Sequence, residues 1–249
     1  MEIIAEIGQN HNGVISLAKE LIHAAKESGA DVVKFQLYDA ASVFSKKNNE
    51  WYDYNLKTEL SYDELEELVA YAGKVEIAFM ASAFDAERVS WLEKLGVLRH
   101  KLASRSIRDQ VLIDALIETG KPIIASLGLW REPAFPKISA KEVSFLYCVC
   151  KYPTPLNDLN FSLVDFNEYD GFSDHTEGIE AATIALAKGA KIIEKHFTLE
   201  KKMYGPDHAG SMTPDELKQL VTFKKNLHTC LYGDESTNES GKYVFSLDD

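Results

Sequence analysis

Two histidines close two short strand-like segments in the second half of the chain. Ser173 precedes His175 by two residues, and Glu194 precedes His196 at the same spacing. Residues i and i+2 of a strand share a face, so each histidine points the same way as its polar neighbour. The helix-like stretch between the segments predicts a β-α-β unit with parallel strands. Imidazoles at the same end of adjacent parallel strands can share one divalent metal.

A histidine at a strand end is, taken singly, more often a hydrogen-bonded core residue than a ligand. The matched positions of His175 and His196, each with an inward polar neighbour, favour metal binding instead.

Two lysines, Lys34 and Lys101, lie late in predicted parallel strands. Such strands are buried on both faces, where an unpaired ammonium is costly. Lysines that point inward among hydroxyl groups are typical of a site for a small phosphorylated anion. A metal beside them would polarise a neighbouring carbonyl. The serines at the ends of other strands are Ser82, Ser104, Ser126 and Ser173.

A repeated module positions these residues. A helix-like stretch ends in glycine and a strand-like run follows, as at Gly29, Gly73, Gly96, Gly120 and Gly189. We predict eight strands, near 2–8, 31–37, 75–82, 98–104, 121–127, 144–150, 170–175 and 190–197. We predict helices near 16–28, 61–72, 85–95, 108–119, 177–188 and 213–227, and a weak one near 158–167.

This pattern predicts an α/β fold, a (β/α)8 TIM barrel over residues 1–228. The fifth helix should be shortened or missing, because two prolines leave room for a turn or two at most between the fifth and sixth strands. Residues 229–249 are predicted to be a polar C-terminal tail with a short strand-like end.

Composition excludes several functions. The net charge of −12, without a basic stretch, argues against nucleic acid or an anionic membrane as partner. With neither a membrane-length apolar run nor a signal peptide in the sequence, we expect a cytoplasmic location. Three cysteines give no disulfide framework. Cys148 and Cys150 are interpreted as buried strand thiols rather than metal ligands.

Six segments carry a resemblance to a known family. They are AEIGQNHNG (5–13), ADVVKFQ (30–36), YPTP (152–155), FSDHTEGIEAA (172–182), IIEKHFTL (192–199) and GPDH (205–208). On these motifs the chain resembles the N-acetylneuraminate (sialic acid) synthase family, which condenses phosphoenolpyruvate with an amino-sugar aldehyde. In that chemistry the enol carbon attacks the metal-polarised aldehyde, water adds to the resulting cation, and phosphate leaves.

The resemblance implies a role for each candidate. His175 and His196 would hold a divalent ion, Mn²⁺ or Mg²⁺. The residues implied to bind phosphoenolpyruvate are Lys34, Lys101, Ser104, Ser126 and Ser173. Those implied to face the sugar are Glu6, Gln36 and Asp207. We assign catalytic roles to Glu6, Lys34, Lys101 and Asp207, and substrate binding to Gln36, Ser82, Ser104, Arg105, Ser126, Tyr152 and Ser173.

The chain also departs from the family pattern. The sequence ends at Asp249 without the antifreeze-like domain that in the family supplies an arginine to the acceptor. Arg105 and Ser106 stand where the family pattern has glycine and an acidic residue, and Cys150 replaces an asparagine. We therefore expect an acceptor other than N-acetylmannosamine, with Arg105 partly replacing the missing arginine. A homodimer or a separate lid-supplying chain would complete such a site.

Three functions stay open on the sequence. The first is a phosphoenolpyruvate-consuming synthase of a sialic-acid-like 3-deoxy-2-keto sugar acid. The second is a metal-dependent pyruvate lyase or aldolase, which would release no phosphate. The third is a non-catalytic or partner-dependent barrel of the same family. Intact His175, His196, Lys34, Lys101 and Asp207 favour the first, while Ser106 and the missing lid favour the third.

Overall fold

The computed structural model describes residues 1–233, which form a closed barrel of eight parallel strands in sequential order. The predicted (β/α)8 fold is confirmed. The strands are β1 (Glu2–Gly8), β2 (Val32–Leu37), β3 (Ala78–Ala83), β4 (His100–Leu102), β5 (Ile123–Ser126), β6 (Val143–Cys148), β7 (Gly171–Asp174) and β8 (Ile192–His196).

Helices cover the outside of most of the barrel. They are α1 (Ile15–Glu27), α2 (Ala40–Val43), α3 (Tyr52–Lys57), α4 (Tyr62–Lys74), α5 (Ala86–Lys94), α6 (Gln110–Glu118), α7 (Glu180–Ala187) and α8 (Pro214–Tyr232). Capping boxes begin α4 and α8, with Ser61 paired to Glu64 and Thr213 to Glu216. The short α2 and α3 lie in a segment for which the sequence predicted no helix.

One side of the barrel has no α-helix between its strands. Residues 127–142, between β5 and β6, contain no helix, which confirms the prediction of a shortened or missing fifth helix. The weak helix predicted near 158–167 is replaced by 3₁₀ turns at Leu156–Asp158 and Phe161–Leu163. Prolines explain the first result, because each removes a backbone donor and disfavours a helical conformation in the residue before it. In the second, Asn160 adopts a left-handed conformation with a φ of +46°, which interrupts a right-handed helix.

Aromatic side chains cover this side in place of helices. The ring of Phe135 lies 5.0 Å from that of Phe145 and 4.8 Å from that of Tyr169. Tyr147 adds a contact of 5.6 Å to Tyr169, and its hydroxyl donates to the Leu159 carbonyl oxygen. Edge-to-face pairs of this kind stabilise beyond the area they bury.

Alternation along the strands divides the residues between two cores. Outward side chains such as Val33, Phe35 and Ile193 pack against the helices. Inward side chains fill the barrel in layers. The lower layer is apolar and consists of Ile4, Val32, Met80, Ile124, Leu146 and Ile192.

Register places a polar layer directly above the apolar one. Glu6 is level with Lys34 on one side and with His196 on the other. Ser82 pairs with both Gln36 and Lys101 across its two neighbouring strands. These side chains therefore converge at the carboxyl ends of the strands, as predicted for a barrel active site.

The described part of the chain ends at Gly233. Helix α8 continues to Tyr232, past the predicted domain boundary at 228, and the rest of the predicted tail lies outside the described residues. Among the helices within residues 1–233, none has the length and apolar character that a membrane-spanning segment requires.

Candidate active site

A cavity of about 690 Å³ opens at the carboxyl ends of the strands. Every site residue predicted from the sequence lines it. They are Glu6, Lys34, Gln36, Ser82, Lys101, Ser104, Arg105, Ser126, Tyr152, Ser173, His175, His196 and Asp207.

Two buried lysines and two carboxylates form the floor of the cavity. The Lys34 ammonium lies 2.8 Å from a Glu6 oxygen and 3.5 Å from a Glu194 oxygen. Lys101 lies 3.6 Å from the other Glu194 oxygen. Each lysine is only 2% exposed. Glu194 therefore bridges the two cations, at a position that the sequence placed beside His196 without assigning it a role.

Burial and charge oppose each other at this floor. Burial lowers the pKa of Lys34, but the carboxylates of Glu194 and Glu6 outweigh burial and raise that pKa above its ordinary value. Burial would raise the pKa of Glu194, yet Lys101 and Lys34 hold it well below its usual range. For Lys101, burial prevails and the pKa is lowered. The carboxylate is thus held ionised between two ammonium groups.

Hydroxyl groups surround the lysines along the strands from β3 to β7. Lys34 donates to Ser82 Oγ at 3.2 Å, and Lys101 donates to Ser126 Oγ at 2.8 Å. Ser173 Oγ donates to Glu194 at 2.8 Å. Ser104 Oγ accepts the Gly128 N–H at 3.0 Å. Ammonium and hydroxyl donors thus converge on one part of the cavity wall, which can bind an anion.

The two histidines face each other across the rim, with ring centroids 5.8 Å apart. His175 Nδ1 and the Val149 carbonyl oxygen are 2.9 Å apart, so Nδ1 carries the proton and Nε2 keeps its lone pair. Burial and then His196 lower the pKa of His175 to about 3, which keeps the ring neutral. Tyr152 packs on His175 at 4.1 Å between ring centroids.

These imidazoles fit an open divalent-metal site. His196 Nδ1 is buried without a hydrogen-bond partner within residues 1–233, as an unused ligand atom would be. No group of three or more His, Cys, Asp or Glu side chains in the described part of the chain is arranged to hold a metal ion. A metal ion held by these two imidazoles would therefore have several coordination positions left for water or substrate.

Another part of the cavity wall is aromatic and carries one arginine. The Arg105 guanidinium stacks between Phe44 at 5.0 Å and Phe84 at 5.7 Å, and it donates to the Val43 carbonyl oxygen at 3.1 Å. Trp51 lines the same wall. These aromatic residues were not predicted, because the loops that carry them are distant in sequence and follow no strand periodicity.

Near the strand ends on this side, a hydrogen-bond network fixes the loop after β1. Gln9 Nε2 donates to the Tyr38 hydroxyl at 2.6 Å and to Asn55 at 3.1 Å. Gln36 donates to Glu6 at 2.9 Å, which orients that carboxylate above Lys34. Gly8 adopts a φ of +54°, and a Cβ there would lie 3.3 Å from the His196 ring. The left-handed conformation therefore favours glycine, and a larger residue would also crowd the side chains of the site.

Cys148, at the end of β6, and Cys150, just beyond it, also line the cavity. Cys148 is buried, as predicted, whereas Cys150 is half-buried. The hydrogen bond with Cys148 lowers the pKa of Cys150 to about 6 and raises that of Cys148 well above its ordinary value. Both sulfurs crowd Gly128, where a Cβ would lie 2.5 Å from Cys150 Sγ and 2.9 Å from Cys148 Sγ.

The chain matches known proteins over most of its length. The model of the NeuB family matches residues 21–236. The N,N'-diacetyllegionaminic acid synthase of Campylobacter jejuni is 41% identical over 248 aligned residues, covering 88% of this chain and 74% of that enzyme. The human N-acetylneuraminate-9-phosphate synthase is 33% identical, covering 88% of this chain and 68% of its own. The crystal structure of N-acetylneuraminic acid synthetase from Leptospira borgpetersenii, in complex with citrate, has a TM-score of 0.86 and 32% identity, covering 96% of this chain and 87% of that one.

Proposed function

The chain belongs to the NeuB family, whose sialic, legionaminic and pseudaminic acid synthases are phosphoenolpyruvate-dependent condensing enzymes, and on that premise we propose its reaction. It condenses phosphoenolpyruvate with a sugar aldehyde to give a sialic-acid-like 3-deoxy-2-keto sugar acid, and it releases phosphate. The methylene carbon of phosphoenolpyruvate bonds to the aldehyde carbon, whose oxygen becomes a hydroxyl. Water adds at the carbon that carries the phosphate, and the bond from that carbon to the bridging phosphate oxygen breaks, which leaves the 2-keto group and free phosphate.

The observation that carries this proposal is the pair of buried lysines on the floor of the cavity. Lys34 and Lys101 are buried, and an apolar layer lies beneath them. A ligand from solvent can therefore reach them only through the mouth of the cavity. The donors around Lys101 are suited to a phosphate group. Lys101, Ser104, Ser126 and Ser173 would bind phosphoenolpyruvate there, and Lys34 would donate to its carboxylate.

His175 and His196 would hold the divalent ion, Mn²⁺ or Mg²⁺, at the rim between the two ends of the cavity. When bound, such an ion withdraws electron density from the aldehyde carbonyl. The neutral His175, with Nδ1 paired to Val149, presents the nitrogen suited to ligation. This fixed orientation supports the ligand assignment.

The acceptor would lie against the wall that contains Arg105. Glu6, Gln36 and Asp207 would accept from or donate to the sugar hydroxyls, and Tyr152 would close the side nearest His175. Phe44, Trp51 and Phe84 would pack against acetamido methyl groups. This wall favours an acylated amino sugar other than N-acetylmannosamine, in line with the Campylobacter jejuni relative, which is named for a diacetylated product.

Phosphate release tests the reaction. The purified protein is incubated with phosphoenolpyruvate and Mn²⁺, with and without each of a panel of mono- and diacetamido sugar aldehydes. His196→Ala is the test variant, and His228→Ala, on the exposed face of α8, is its matched control. Release that needs an aldehyde and His196, with a new keto acid in equal amount, is expected.

Two other outcomes would overturn the proposal. Formation or cleavage of a keto acid from pyruvate without phosphate would identify an aldolase. Calorimetric binding of phosphoenolpyruvate without release, whatever the aldehyde, would identify a barrel that does not catalyse the reaction by itself.

A further inference from the structure

The proposed reaction gives no role to the thiols of Cys148 and Cys150. Both line the cavity, and they are separated in sequence by Val149, the residue that follows β6. Cys150 is half-buried, whereas Cys148 is buried. Small oxidants that enter the cavity therefore meet Cys150 first, and the sulfur nearest to it belongs to a second cysteine.

The two side chains are placed for a sulfur–sulfur bond. Cys150 lies two residues beyond Cys148, the last residue of β6. Cα atoms two residues apart are separated by at most about 7 Å in a fully extended chain, so the pair can adopt the roughly 4.4–6.8 Å found between the Cα atoms of disulfides. Both sulfurs already converge on the same point, the open side of Gly128. Any residue with a Cβ at position 128 would separate them, since that carbon would lie 2.5 Å from Cys150 Sγ.

We propose that Cys148 and Cys150 form a reversible disulfide in the presence of peroxide, and that this bond switches off the metal end of the site. Cys150 sulfur attacks one peroxide oxygen, which gives a sulfenic acid and releases the other oxygen as water. Cys148 sulfur then displaces that hydroxyl as a second water. The two thiols lose two electrons and two protons, and the peroxide is reduced to water.

The short ring indicates a regulatory bond rather than a structural one. Closing a loop of three residues constrains the unfolded chain very little, so the entropic stabilisation is small. Tight geometry raises the reduction potential, and strained or accessible disulfides are the labile ones. Cellular dithiols would therefore reverse the bond readily.

The link to the metal site runs through Val149, the residue enclosed by the ring. Its carbonyl oxygen lies 2.9 Å from His175 Nδ1 and accepts the Thr154 hydroxyl at 3.2 Å. Cys148 Sγ lies 3.8 Å from the same His175 nitrogen. Drawing the two sulfurs together moves both groups that orient His175. This step rests on the proposed role of His175 as a metal ligand.

Peptide mass tests the bond itself, independently of any activity. The Cys230→Ser background removes the exposed third thiol. The protein is treated with hydrogen peroxide, alkylated and digested with trypsin, which releases both cysteines in one peptide, residues 142–151. We expect this peptide to lose two hydrogens and resist alkylation until dithiothreitol is added. A peptide that stays fully alkylated, or one that gains oxygen irreversibly, would overturn the proposal.

Mn²⁺ calorimetry tests the consequence. Loss of a group that orients a metal ligand lowers affinity by about 10- to 100-fold, so oxidation should weaken Mn²⁺ binding to that extent and dithiothreitol should restore it. Cys150→Ser should bind Mn²⁺ equally with and without peroxide treatment. Equal affinity of the oxidised and reduced parent protein would refute the switch. Absence of Mn²⁺ binding in the reduced protein would instead contradict the proposed metal site, while the peptide mass would still decide the disulfide.

Discussion

The Lys101 ammonium lies 3.6 Å from the Glu194 carboxylate at the floor of the cavity, and both side chains are buried. Glu194 also lies 3.5 Å from Lys34, so a single carboxylate neutralises parts of two cations. An incoming anion must share these lysines with Glu194. The contact between Lys101 and Glu194 therefore affects both the stability of the barrel without ligand and its affinity for an anion.

Replacing Glu194 should separate these two effects. Glu194→Gln keeps the shape but leaves Lys101 without its carboxylate, and loss of one partner of a buried ion pair costs about 3–5 kcal/mol. We expect a lower free energy of unfolding in urea. Added inorganic phosphate should recover more stability in the variant than in the parent, because it supplies the missing charge. An equal phosphate effect in both proteins would contradict the role given to Glu194.

Lys101 should determine the affinity for phosphoenolpyruvate. Lys101→Met removes the ammonium that reaches Ser126, and a charge-assisted hydrogen bond is worth about 1.5–3 kcal/mol, or roughly 10- to 100-fold in the Michaelis constant. The matched control is Lys121→Met, which removes the same charge from the opposite end of the barrel, where Lys121 pairs with Glu93. Steady-state kinetics should show a higher Michaelis constant for phosphoenolpyruvate in Lys101→Met and an unchanged one in Lys121→Met.

Arg105 should act on the acceptor only. Its guanidinium is held between the rings of Phe44 and Phe84, which form the proposed acceptor wall. Arg105→Ala should raise the acceptor Michaelis constant by about 10-fold or more while leaving that for phosphoenolpyruvate unchanged. An unchanged acceptor constant would refute the assignment. Arg105→Lys keeps the charge but not the planar stacking, so it should recover only part of the effect.

The stability of the barrel should fall in mild acid through His11. Burial lowers the pKa of His11 to about 4, against the weaker opposing effect of Glu64. The unfolded chain, with an ordinary pKa near 6.5, binds a proton first as the pH falls. The stabilisation that comes from burying His11 in its neutral form is therefore complete above about pH 6.5. The free energy of unfolding declines by about 3 kcal/mol as the pH falls from there to 4.

His11→Asn isolates this effect. An asparagine oxygen can accept the Gly13 N–H that His11 Nδ1 accepts at 3.2 Å, so the turn is preserved. Urea unfolding at several pH values should give a parent-minus-variant difference that decreases from pH 6.5 to 4. A difference independent of pH would show that the proton on His11 is not involved.

Much of the fold and of the site could be predicted from the sequence, for a physical reason. Strand periodicity decides which side chains point inward, so the alternation of residues alone was enough to assign Lys34, Lys101 and His196 to the cavity. Glycine stops and capping residues such as Ser61 fixed the helix positions to within a few residues. Both signals are local along the chain.

What could not be predicted depends on contacts between distant segments. Phe44 and Trp51 lie on a loop whose pattern gives no direction for their side chains, yet they form the acceptor wall. Glu194 was correctly expected to point inward, but its contact with two lysines from other strands is a property of the register. The aromatic cover over β5 and β6 likewise replaces a helix through tertiary packing.

The apolar layer beneath the lysines has an electrostatic consequence. It lies beneath two lysines and the carboxylates of Glu6 and Glu194, so the interactions among these four charges are weakly screened from below. In a protein with a net charge of −12, this floor balances two positive charges with two negative ones. An anion that reaches the lysines therefore exchanges places with carboxylates that are already there, and it does so where little salt can intervene. Binding of an anion to this floor should thus depend only weakly on ionic strength, unlike binding to charges on the outer surface.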